Sequence, residues 1–106
     1  MTETRLSDLA AVIRSKNAGP FVITLDVFFK DNESFEKVRG SGEITAARIA
    51  RLYRIQEEDV LEVAFFQPAI ALKISFRRWV ASAAPGDTDV FGAQQHVPLL
   101  NLKLNL

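Results

Sequence analysis

Cysteine is absent from all 106 residues, which removes disulfide frameworks and thiolate chemistry together and fits a reducing, cytoplasmic setting. An excess charge of one sign is missing as well. Thirteen Lys and Arg balance thirteen Asp and Glu, so the domain as a whole exerts no broad attraction on nucleic acid or an anionic membrane. Between Met1 and Leu9 the residues Glu3, Arg5 and Asp8 interrupt the apolar positions, so neither a signal-peptide core nor a spanning segment is expected there. Internal repeats and low-complexity stretches are not visible, which sets solenoid and linker architectures aside. Histidine occurs once, at position 96.

What remains is an ordinary globular composition, 48% hydrophobic and 25% charged, at a length that supports one core. A single domain over 1–106 is therefore expected. Leu6, Leu9, Ala10 and Ile13 follow helical spacing, with Asn17, Gly19 and Pro20 as stop signals. This predicts a first helix, although Ala10 and Val12 also permit a strand. From Phe21 to Phe29 apolar residues alternate with Thr24 and Asp26, the pattern of a half-buried strand. Asn32 can cap a short helix that carries Phe35 and Val38 inward and is broken by Gly40 and Gly42. Thr45 can cap a second, with Ile49, Leu52 and Tyr53 inward and Arg48, Arg51 and Arg54 toward water.

Leu61, Val63 and Phe65 then alternate with Glu62 and Ala64, and Ile70, Leu72, Ile74 and Phe76 alternate with Lys73, Ser75 and Arg77. Gln67-Pro68-Ala69 is the natural hairpin between them. Leu100, Leu102, Leu104 and Leu106 alternate with Asn101, Lys103 and Asn105 in a fourth strand. Four one-faced strands need one cover, so the expected fold is an α+β two-layer sandwich, ferredoxin-like, with about four largely antiparallel strands and helices on one face. Its polar side, with Asp26, Glu62, Lys73 and Lys103, is left solvated or available to another protein.

Polar chemistry concentrates in two segments. Arg14-Ser15-Lys16-Asn17-Ala18-Gly19-Pro20 sets two cations, a hydroxyl and an amide beside a turn and can hold a carboxylate or phosphate. The structural alternative is ordinary helix termination, with the basic residues complementing the helix dipole. The second segment lies in a long stretch without periodicity, Val80 to Pro98, which holds Asp87, Asp89, Gln94, Gln95 and His96. Asp87, Asp89 and His96 offer metal ligands or an acid and a base; proton transfer by His96 needs no second ligand, whereas the spacing is poor for a metal, and no metal site is assigned. A Pro-Gly-Asp turn is also commonly just an Asx-stabilised loop.

The remaining motifs carry less. Arg77-Arg78-Trp79 reads as a strand end with one aromatic over the core, and the arginines of 48–54 as a solvated helix face. The glycines near Gly40 lack the strand-turn-helix context and lysine of a phosphate loop, and no Ser-His-Asp or Cys-His pattern is present. A stand-alone hydrolase or NTPase is disfavoured, and the residues name no cofactor.

Arg14 to Pro20 and Gly86-Asp87-Thr88-Asp89-Val90-Phe91-Gly92-Ala93-Gln94-Gln95-His96 closely resemble the signature stretches of a small family catalogued as a domain of unknown function. Ser7-Asp8-Leu9-Ala10, Thr24-Leu25-Asp26 and Pro98-Leu99-Leu100 extend the likeness through nearly the whole chain. The resemblance implies a protein encoded beside, or fused to, a larger one similar to the acyclic terpene utilisation (AtuA-like) group. The C-terminal ferredoxin-like domain of that group looks distantly like this chain: Arg14 and Ser15 correspond, and Lys16-Asn17-Ala18 departs.

By that resemblance the chain is a small subunit completing an AtuA-like large subunit. The pair would act on an organic acid or acyl-CoA by hydration, dehydration or a related lyase step. Arg14, Ser15, Lys16, Asn17 and Gln95 would contact an anionic substrate, and His96, Asp87 and Asp89 would serve catalysis at the subunit boundary. A ligand-sensing or structural homo-oligomeric module without catalysis is the alternative. RNA binding is disfavoured, because charge is balanced and the strand aromatics fall mainly on the apolar side.

Overall fold

The computed structural model describes residues 3–19, 21–77 and 97–106. Its main element is a four-stranded antiparallel sheet in the order β2-β3-β5-β4, formed by β2 (Ala10–Asn17), β3 (Val22–Phe29), β4 (Val60–Phe66) and β5 (Ala71–Arg77). Between β3 and β4 run α2 (Asn32–Ser41) and α3 (Ala46–Tyr53). A two-stranded sheet pairs β1 (Glu3–Arg5) with β6 (Lys103–Asn105), and short helices α1 (Leu6–Leu9) and α4 (Val97–Leu100) adjoin it. This is a two-layer α+β sandwich. The chain runs hairpin, helix pair, hairpin through the main sheet, so both longer helices lie in one connection, where a ferredoxin-like chain alternates βαββαβ.

Alternation decides which side of the sheet is buried. Ile23, Leu25, Val27 and Phe29 on β3 and Leu72, Ile74 and Phe76 on β5 are almost fully buried on the same side. The helices cover that side, contributing Phe35 and Val38 from α2 and Ile49 from α3 to one core. Phe35 is its largest side chain with no exposure, and it meets Phe29 and Phe65 edge to face at centroid distances of 5.8 and 5.9 Å.

The two longer helices have their own start and stop signals. The Asp31 carboxylate, not Asn32, caps α2 by accepting the Ser34 N–H at 2.7 Å, and this bond, with the Ser34 hydroxyl, lowers its pKa. Gly42 ends α2 at φ 71°, a left-handed conformation that suits glycine. Thr45 caps α3 by accepting the Arg48 N–H at 3.2 Å, and Arg54 closes it with its N–H directed at the Ala50 and Arg51 carbonyls.

Further sequence expectations change. The first helix is only Leu6–Leu9; from Ala10 the chain is strand β2, because pairing against the whole of β3 outweighs a short helical pattern. Leu100 to Leu106 is not one strand of the main sheet: it is the end of α4 and then β6, which pairs with β1. Lys103 accordingly leaves the polar side of the main sheet. In β4 the register shifts between Val60 and Glu62, so Leu61 is exposed at 46% rather than facing the core. Ile70 precedes its strand at φ 42°, an unusual conformation for a β-branched residue, held by its N–H to the Gln67 carbonyl and by packing against the core.

Candidate functional site

The edge strand β2 carries Arg14 to Asn17, so the segment is extended and is not a helix terminus. Strand period therefore divides it. Arg14 and Lys16 project from the outer side of the sheet, away from the helices, whereas Ser15 and Asn17 are half-buried on the opposite side. A turn follows, closed by Ala18 N–H to the Val22 carbonyl at 2.9 Å, with Gly19 at φ 130°.

Register sets the neighbours of these cations. Arg14 lies across from Asp26 and Lys16 across from Thr24; on the other flank of β3, Asp26 pairs with Lys73 and Thr24 with Ser75. The row continues to β4, where Ala64 faces Lys73 and Glu62 faces Ser75. Within this face the Arg14 guanidinium sits 5.0 Å from the Phe28 ring centroid, and Lys73 Nζ is 3.8 Å from Glu62 Oε1. Thr24 and Ser75 are buried between the long side chains, their hydroxyls 3.3 Å apart. One end of the face is apolar, with Val12, Phe28, Ala71 and Phe66 in one row, and Val12 and Phe66 are 48% and 47% exposed.

A second polar grouping escaped the sequence reading. Arg48 is not a solvated helix residue: its guanidinium lies 3.1 Å from Glu43 Oε1 and donates to the Lys103 carbonyl. Glu43 Oε1 also accepts the Asn105 N–H at 2.7 Å. That bond, with the Arg48 cation, holds the Glu43 carboxyl below its ordinary pKa. An open cleft of about 540 Å³ adjoins these groups, lined also by Arg51, Leu52 and Leu102. Since Glu43 and Arg48 are matched to each other and to strand β6, their first role is to clamp the small sheet to α3. The only sequence signal was Glu43 placed just ahead of the Thr45 cap.

Asp87, Asp89, Gln95 and His96 lie outside the described residues, as do Arg78 and Trp79. Among the described residues, no group of three or more His, Asp or Glu is placed to hold a metal ion, and no helix is long and apolar enough to cross a membrane. The Tyr53 phenol is the one described tyrosine, and burial against Phe76, at 4.6 Å between centroids, pushes its pKa up.

A family model described as Domain of unknown function (DUF4387) matches residues 6–103. No curated protein and no solved structure matches the chain.

Proposed function

The chain belongs to the DUF4387 family, and on that membership we propose that it is the small subunit of a larger catabolic enzyme of the AtuA-like kind. The reaction is a hydration, dehydration or related lyase step on an organic acid or acyl-CoA. The observation that carries this reading is the placement of Arg14 and Lys16, two residues apart on an edge strand and pointing out of a face that no described helix covers. Two exposed cations at the rim of a rigid sheet suit an anion shared with a neighbouring subunit, because charge-assisted hydrogen bonds to a carboxylate are roughly twice as strong as neutral ones.

In this proposal Arg14, with Lys16 beside it, supplies the charge that orients the anionic group. Ser15 and Asn17 fix the strand from its other side. Asp87, Asp89, Gln95 and His96 supply polar contacts and proton transfer at the boundary, imidazole being the side chain generally suited to proton transfer near neutral pH. Supporting the same reading is the family match, whose span of residues 6–103 includes both segments.

Co-expression with the adjacent AtuA-like protein tests it, followed by native mass measurement and a hydratase and lyase screen on hydroxy acids and acyl-CoAs. A stoichiometric complex that turns over one of these classes supports the proposal. A chain that purifies alone and leaves the large protein's activity unchanged on mixing refutes it.

A further inference from the structure

The outer face of the main sheet matches itself, and we infer that its occupant is a second copy of this chain, packed face to face about a two-fold axis parallel to the strands and running between β3 and β5. Such an axis keeps each row of the sheet level and exchanges β2 with β4 and β3 with β5. The register then dictates every opposition. Val12 meets Phe66 of the second copy, Phe28 meets Ala71, and Thr24 meets Ser75. Asp26 meets Lys73, and Lys16 meets Glu62. Symmetry repeats each pair, so four apolar contacts, two carboxylate-ammonium contacts at the centre and two at the rims form at once.

Charge also rejects the other possible two-fold. An axis across the strands would lay each strand on its own copy, setting Arg14 on Arg14, Lys73 on Lys73 and Asp26 on Asp26, and placing Lys16 over Val12. Like charges in register are unfavourable, so of the two aligned docking geometries the face selects one. Sheets packed face to face keep their strands within about 30° of one another, which preserves the pairing near the axis and splays it at the rims. Burial of the Thr24 and Ser75 hydroxyls carries little penalty, because they are already within hydrogen-bond distance of each other at 3.3 Å.

This inference uses the same face as the proposed subunit role: pairing engages Lys16 with Glu62 of the second copy and leaves Arg14 as the cation for the anion. Arg14 falls opposite Ala64 of the second copy, a small uncharged residue, so pairing leaves its guanidinium free for an anion at the rim of the dimer.

Sedimentation velocity and light scattering on the full chain, without any large subunit, provide the test. The unaltered chain is expected at twice the mass of one copy over micromolar to submillimolar concentrations. Lys16→Glu sets two carboxylates against each other at both rims and should weaken the dimer by about tenfold or more; Glu62→Lys should do the same with two ammonium groups. The double exchange Lys16→Glu with Glu62→Lys should restore the dimer, which separates a broken contact from a misfolded chain. Circular dichroism checks the fold of each. A monomer throughout overturns the inference, whether the face is then covered by residues 78–96 or by a large subunit. So does a dimer indifferent to both single changes, or one that the double exchange fails to rescue.

Discussion

Glu43 Oε1 accepts the backbone N–H of Asn105 at 2.7 Å, joining residues 62 positions apart in the chain. The same oxygen faces the Arg48 guanidinium, so one carboxylate ties the loop before α3 to the helix and to β6. Glu43→Ala should lower the thermal midpoint and loosen β6 first, seen as faster amide exchange at Asn105.

The same contact sets a pH dependence. A carboxyl whose folded-state pKa lies below its unfolded value stabilises the fold fully above the unfolded value and loses that contribution as pH falls through the folded one. For Glu43 the ordinary value is 4.5, so its contribution is intact at neutral pH and disappears below that value. Denaturation followed from pH 7 downward should show the unaltered chain losing stability in this acid range more steeply than Glu43→Gln.

Phe35 is the centre of the core. With no exposure and two edge-to-face neighbours, its replacement by Ala should cost about 3–5 kcal/mol, the range for deleting a buried aromatic. Chemical denaturation measures this directly. A loss under about 1 kcal/mol would mean that the helix layer does not pack on the sheet as described.

Gly40 in α2 and Gly42 at its C-terminal cap should respond oppositely to alanine. Gly40 lies within the helix with open space around it, so Gly40→Ala should stabilise by about 0.5–1 kcal/mol. Gly42 is equally uncrowded but holds φ 71°, and Gly42→Ala should cost about 1 kcal/mol through backbone strain alone. Equal effects at both positions would contradict the left-handed cap.

Thr45→Ala should cost about 1 kcal/mol and Thr45→Ser close to nothing, because the oxygen that accepts the Arg48 N–H is retained only in the second. Paired denaturation curves decide it.

The legibility of this fold in the sequence varied by element, for physical reasons. Strands β3 and β5 were readable because their inner positions are uninterrupted alternation, and the hairpin at Gln67–Ala69 because proline punctuates it. Ala10 to Asn17 was ambiguous since its local pattern fits two periods; the decision comes from pairing with β3, a tertiary fact. Leu61 misled because a single register shift after Val60 turns it outward. Strand β6 owes its sheet to β1, three residues about a hundred positions away, for which no local signal exists.

The candidate site was legible in the same uneven way. Asp26, Glu62 and Lys73 were recognised as the polar side of the sheet from alternation alone. The grouping of Arg14 with Lys16, apart from Ser15 and Asn17, needed the strand assignment first. Glu43 with Arg48 was invisible because their meeting depends on β6.

The proposed role of Arg14 is tested most directly by turnover of the reconstituted complex on the hydroxy acid or acyl-CoA identified by screening. With Arg14→Ala, turnover should fall by about tenfold or more, as expected for losing a charged substrate contact, while Lys30→Ala, altering an exposed cation just after β3, should leave it unchanged. Unaltered turnover in the Arg14 variant, with the complex intact, would contradict the account.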